Sequence, residues 1–240
     1  MELQADRAGV QVIQKEARRF ARTEGVSVTY NLPGRFTIPS KTGQQLATVS
    51  AFTAKGDFVM IATPLLTNYV YLMADIVNSS SSVLLAGPVD MYCNGNFVGK
   101  GELGLITMGE KFTAGFGVDS QVQISREFKD KKIDTLWGSK VETYDYRLAI
   151  ENYRNSKVRL RLMERIPYSE DATLEIKDFQ TNTPLSTDAE YLRAERDKGI
   201  LRWDIELAPG ATGQNAKIVT YSYTIKYGNE MKIQPAARTD

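Results

Sequence analysis

The sequence predicts an all-β fold: a β-rich first domain followed by an immunoglobulin-like β-sandwich, with a short helix at the N-terminus. Three observations lead there. Beyond residue 25, apolar residues recur at every second position. Clusters of Gly, Pro, Asn and Ser interrupt those runs at short intervals. Asn94-Gly95 then sits between two of the runs, where both residues tolerate the positive φ of a tight hairpin turn.

The helix comes first. Leu3, Val10, Ile13, Ala17 and Phe20 fall on a and d positions of a heptad, with Asp6 breaking one d. Lys15, Glu16, Arg18 and Arg19 take other faces, and Gly25 supplies a stop. This stretch, residues 1–25, reads either as the end of a coiled coil or as a helix packed on the domain behind it.

The period then switches to two. Strands are expected at 26–30, 35–38, 46–52, 58–62 and 69–77, then at 89–93 and 96–98 around Asn94-Gly95. A further pair, 111–116 and 121–128, is expected to turn through Gly117-Val118-Asp119. The charged run Lys129-Asp130-Lys131-Lys132-Ile133-Asp134 reads as a solvated hairpin loop or a linker, which makes residues 26–139 the first β domain.

Alternation is cleaner in residues 140–228. Tyr144, Tyr146, Leu148 and Ile150 share one face. Asn155-Ser156 turns the chain into Val158, Leu160 and Leu162, and 173–176 forms another strand. Leu201, Trp203, Ile205 and Leu207 line one side of the next, and Val219, Tyr221, Tyr223, Ile225 and Tyr227 one side of the last. One apolar and one polar face per strand is what a sandwich of antiparallel sheets requires. Residues 229–240 form a tail.

Composition excludes several chemistries. There is no histidine and one cysteine, Cys93, so Ser-His-Asp and Cys-His catalysis, imidazole metal sites and an intrachain disulfide are ruled out. Lys+Arg number 30 against Asp+Glu 29, too even a balance to draw in nucleic acid. No stretch approaches the length of a membrane span, and the polar Met1-Glu2-Leu3-Gln4-Ala5-Asp6 opening does not read as a signal peptide. Asn78-Ser79-Ser80 fits the N-glycosylation triplet, a pattern that chance often produces.

Five motifs, in order, carry a family resemblance. They are Tyr30-Asn31-Leu32-Pro33-Gly34-Arg35-Phe36-Thr37-Ile38-Pro39-Ser40; Gly87-Pro88-Val89-Asp90-Met91-Tyr92-Cys93-Asn94-Gly95-Asn96-Phe97-Val98-Gly99; Gly109-Glu110-Lys111-Phe112 with Gly117-Val118-Asp119; Ile166-Pro167-Tyr168-Ser169-Glu170-Asp171; and Lys198-Gly199-Ile200-Leu201-Arg202-Trp203 leading to Pro209-Gly210. Together they resemble the conserved C-terminal domain of the mucoidy inhibitor A family, a domain of unknown function. The resemblance implies a longer parent with a coiled-coil middle, which favours the coiled-coil reading of the first helix. It also implies a bacterial envelope or periplasmic setting, and it carries over no catalytic residues.

Candidate sites follow from this. Glu164, Glu170 and Asp171 offer carboxylates for glycoside hydrolysis, which needs two facing each other across a cleft. Arg159, Arg161 and Arg165 line a basic strand face, read as an ordinary charged outer surface. The tyrosines offer sugar-stacking faces, though Tyr144, Tyr146, Tyr221 and Tyr223 sit on the apolar sides of their strands and are assigned to the core. The exposed recognition element is the hairpin tip Asn94, Gly95, Asn96 and Phe97. The expectation is a non-enzymatic structural or interaction module without cofactor or metal, engaging a protein partner or a second copy. The alternative is a carbohydrate-binding domain or carboxylate-based hydrolase acting on surface polysaccharide.

Overall fold

The computed structural model describes Tyr30 and residues 46–136, 138–171 and 173–230. The expected helix in residues 1–25, the strands at 26–30 (apart from Tyr30) and 35–38, and most of the 229–240 tail lie outside them.

Eleven strands occupy most of the described chain: β1 Gly56–Ala62, β2 Val70–Val77, β3 Gly87–Cys93, β4 Asn96–Leu103, β5 Lys111–Asp119, β6 Val122–Leu136, β7 Ser139–Asn152, β8 Val158–Arg165, β9 Leu174–Thr181, β10 Ile200–Leu207 and β11 Lys217–Gly228. The fold is all-β. One short helix, α1 Ala189–Ala194, is capped by Asp188, whose carboxylate accepts from Tyr191 N at 2.9 Å.

The strands form a five-stranded sheet ordered β10-β8-β1-β2-β5, a four-stranded sheet ordered β6-β7-β11-β9, and the β3–β4 hairpin. Pairing is antiparallel except between β1 and β8. Period-two alternation explains the layering. The inward sets Leu160 and Leu162 of β8, Leu201 and Trp203 of β10, Leu148 and Ile150 of β7, and Val219 and Tyr221 of β11 all join one core. Trp203 meets Tyr221 of the opposite sheet at 5.8 Å between ring centroids, and its indole N–H donates to Thr183 O at 2.9 Å.

That core joins the two expected domains. β1, β2 and β5 share a sheet with β8 and β10, so the expected division at 139/140 falls inside the β6–β7 hairpin. Residues 140–228 do supply strands to both sheets, but β6 and β1-β2-β5 complete them.

Three local expectations are corrected. Residues 46–55 form no strand and are almost wholly exposed. Their alternation records a propensity, and no described strand offers a ladder to satisfy it. The 129–134 run is neither loop nor linker. It lies within β6, paired to β7 across a bulge between Phe128 and Asp130. β6 is an edge strand in its sheet, and charge along an edge discourages further pairing. Gly117 marks a bulge against β2 rather than a turn. The chain reverses after Asp119, whose carboxylate accepts from Gln121 N and Val122 N, both at 3.0 Å.

The hairpin at Asn94-Gly95 forms as expected, with φ of 49° and 80°. The turn expected at Asn155-Ser156 lies between β7 and β8. Asn78, head of the glycosylation triplet, is 1% exposed. Its amide donates to the carbonyls of Ser82, Ile106 and Thr107, so in the folded chain its nitrogen is enclosed and engaged.

Asn152 plays the same part at the other end of the sandwich. Fully buried, it donates to Ser156 O at 3.0 Å and Ala208 O at 2.8 Å and accepts from Arg154 N at 3.0 Å. Replacing it with Ala removes these three bonds and leaves the Ser156 and Ala208 carbonyls to solvent, so Asn152→Ala is expected to cost about 1–2 kcal/mol, read as a lower urea midpoint at unchanged slope.

Candidate functional site

The β3–β4 hairpin is seated on the outer face of the five-stranded sheet, and two glycines of β5 permit this. A Cβ at Gly117, where φ is +86°, would stand 3.0 Å from the Val98 Cβ. One at Gly115 would stand 3.4 Å from the Met73 Sδ and 3.9 Å from the Met91 Sδ. Met91 and Val98 therefore form the anchored side of the hairpin. The other side carries Asp90 and Lys100, 3.7 Å apart, and the rings of Tyr92 and Phe97.

Those rings meet edge to face at 5.6 Å, with Tyr92 57% and Phe97 53% exposed. Asn94, Gly95, Asn96 and Phe97 are all exposed. Phe97 does not fold back over the sheet; its partner is Tyr92, which sequence reasoning left out. Its signal was present, because the tight turn sets Tyr92 and Phe97 as a cross-strand pair. Cys93 is half-buried and unpaired with another cysteine.

The carboxylates expected to face each other are dispersed. The side chain of Glu164 is enclosed between the sheets, accepting from Arg126 Nε at 3.1 Å and Tyr221 Oη at 3.0 Å. Burial pushes its carboxyl above the ordinary value, while Arg126 and Tyr221 work against the shift. Burial, then the Glu164 charge, also raises the Tyr221 phenol. Glu170 and Asp171 lie on the exposed loop after β8, where Glu170 accepts from Tyr168 Oη and Asp171 accepts from Thr173 N and Oγ1.

Arg126 was a missed residue with a readable signal. It stands in the inward register of β6 after Val122 and Ile124, a position where a charge needs a partner. Its guanidinium also lies 4.2 Å from the Tyr146 ring centroid.

The four tyrosines assigned to the core do pack inward. Tyr146 stands opposite Tyr221 and Tyr144 opposite Tyr223, stacked at 5.0 and 5.3 Å. The arginine face is neutralised across strands. Arg159 pairs with Asp57 of β1, and Arg161 lies 3.6 Å from Asp204 of β10. Arg165 ends the same strand.

A second buried carboxylate closes the far end of β7. Glu142 accepts from Lys131 Nζ at 2.8 Å, Tyr227 Oη at 2.6 Å, and Tyr144 Oη. Desolvation is the largest single influence and opposes ionisation. The three hydrogen bonds together outweigh it and hold the carboxyl below its ordinary 4.5. The bond to Glu142, then desolvation, pushes the Tyr227 phenol up to about 12. Among the described residues no His, Cys, Asp and Glu group is arranged to hold a metal, and no helix is long and apolar enough to cross a membrane.

Fold and surface thus define a class: a two-sheet β domain that keeps its buried ionisable groups paired inside and presents a seated aromatic hairpin outside. The chain belongs to the family described as a domain of unknown function (DUF4139), which residues 1–229 match. It is similar to Protein F37C4.5 of Caenorhabditis elegans, 23% identical over 220 residues, covering 87% of this chain and 37% of that protein. The chain therefore spans little more than a third of that relative's length. No solved structure matches it significantly.

The Glu142 cluster makes stability depend on pH at both ends. Its folded value lies below the unfolded one, so its contribution is complete above pH 4.5 and lost as pH falls through the folded value. The Tyr227 contribution is complete below pH 10.0 and lost as pH rises toward about 12. Urea midpoints of Glu142→Gln are expected to fall less than those of the unmodified chain on acidification below pH 4.5. Parallel curves would contradict this.

Proposed function

We propose that this chain is a non-enzymatic structural or protein-interaction module of a longer, coiled-coil-containing protein, engaging a second copy or a protein partner through the β3–β4 hairpin tip. The exposed Tyr92–Phe97 pair carries the reading. Exposed aromatic rings on a fixed support are the usual anchors of a protein contact, because they bury large area at little conformational cost. Gly115 and Gly117 let the hairpin sit close on the sheet, which supplies the fixed support.

The non-enzymatic part is supported by where the acids lie. Glu142, Glu164 and Asp119 are buried and bonded within the fold, Asp119 to Arg154. Kinship with the C-terminal domain of the mucoidy inhibitor A family, and the immunoglobulin-like description of 140–228, belong to this proposal. The ordered motifs support the first and the division of β7–β11 between two sheets the second.

A second reading has one observation in its favour: the same rings stand beside the amide side chains of Asn94 and Asn96, a combination suited to a sugar face. The Tyr92→Ala/Phe97→Ala double variant tests the first reading, since neither ring belongs to the core. By sedimentation, the unmodified chain is expected to self-associate as concentration rises, or to form a complex with a copy extended upstream. The variant should stay monomeric at an unchanged thermal midpoint. Equal association by both would remove the hairpin from the account. Saturable binding on a glycan array, lost in the variant, would move the assignment to the carbohydrate reading.

A further inference from the structure

Two of the sequence motifs, 166–171 and 198–203, stand about thirty positions apart and meet in space. Ile166 N donates to Gly199 O at 2.9 Å. Gly199 holds φ of +77°, and a Cβ there would lie 2.6 Å from Ile166 O and 3.4 Å from Pro167 O. No other residue allows this approach. The β8–β9 loop is braced by its own bonds, Asp171 N to Ser169 Oγ at 3.0 Å and Leu174 N to Asp171 O at 3.1 Å.

Between the loop and the 3-10 turn Arg196–Lys198 lies an open cavity of about 430 Å³, within the size range of ligand sites. Pro167, Ile176 and Tyr168 give it an apolar patch, Ser169 adds a hydroxyl, and Arg196 and Asp197 bring charge, while Ile166 beneath them belongs to the core. Arg196 is half-buried, its guanidinium 5.3 Å from the Phe179 ring centroid, and among the described residues it has no ion-pair partner. Asp197 on the same turn is exposed. Of the two charges, the part-desolvated cation gains more from a counter-ion.

We infer that this cavity is a binding site for an apolar side chain presented beside a carboxylate, as in an acidic-aromatic segment of a partner protein. The apolar group lies on Pro167, Ile176 and Tyr168, and the carboxylate accepts from Arg196. The site is separate from the hairpin tip.

The test is an amide NMR titration of the full chain with the capped peptide acetyl-Gly-Asp-Phe-Gly-amide, against acetyl-Gly-Lys-Phe-Gly-amide as control. The Asp peptide is expected to shift the Tyr168, Ser169 and Gly199 amides saturably. Binding should weaken about tenfold in Arg196→Gln, the loss of one charge-assisted hydrogen bond. Tyr168→Ala should also weaken it, and that ring is exposed enough to remove without harm to the fold. Equal shifts with the Lys peptide, unchanged affinity in Arg196→Gln, or no saturation would each overturn the site. Shifts confined to Tyr92 and Phe97 would overturn it while leaving the hairpin reading standing.

Discussion

The contact between the two sheets is the constraint on which the rest depends. Trp203 and Tyr221 meet across the layers, and beside them Glu164 of β8 takes hydrogen bonds from Arg126 of β6 and Tyr221 of β11. A fully enclosed carboxylate is costly unless its acceptors are filled, and these two donors, from two strands of the opposite sheet, fill them. A slip of β6 or β11 by one residue would turn Arg126 or Tyr221 to the other face and leave one oxygen of the buried Glu164 without its donor. The triad thus fixes register as well as contributing energy. Everything outside the core, the seated hairpin and the cavity by Gly199 included, is placed by strands held in that register.

Much of this was legible, for one physical reason. Where a strand buries one face and wets the other, the sequence alternates, and β7, β8, β10 and β11 could be read almost residue by residue. Asn94-Gly95 was legible because few residues accept two successive positive φ values. The charged part of β6 was not, because an edge strand extends past the apolar core and loses the alternation. Residues 46–52 alternate and still form no strand, since a ladder needs a neighbour and alternation says nothing of one. The single core was hidden for a related cause: the parallel pairing of β1 with β8 joins residues 100 positions apart, and no local pattern reports it.

Of the candidate site, the tip residues stand exposed, and their partner Tyr92 was readable from the two-residue turn that sets it opposite Phe97 but was left out. The carboxylates failed as a set because sequence spacing cannot tell an inward position from a loop. Glu164 ends up in the core, Glu170 and Asp171 outside it. A consistent division emerges. Buried ionisable groups are spent on holding strands together, while aromatic groups in surplus of the core face outward.

Unfolding followed by two signals tests most directly the claim that both halves of the chain form one sandwich. In a Trp137→Phe background, fluorescence reports Trp203 in the core, while far-UV circular dichroism reports strands throughout. One core predicts that the two urea curves superimpose with a single midpoint. A circular-dichroism transition that splits, with Trp203 following only one part, would mean that the halves fold separately and would contradict the account.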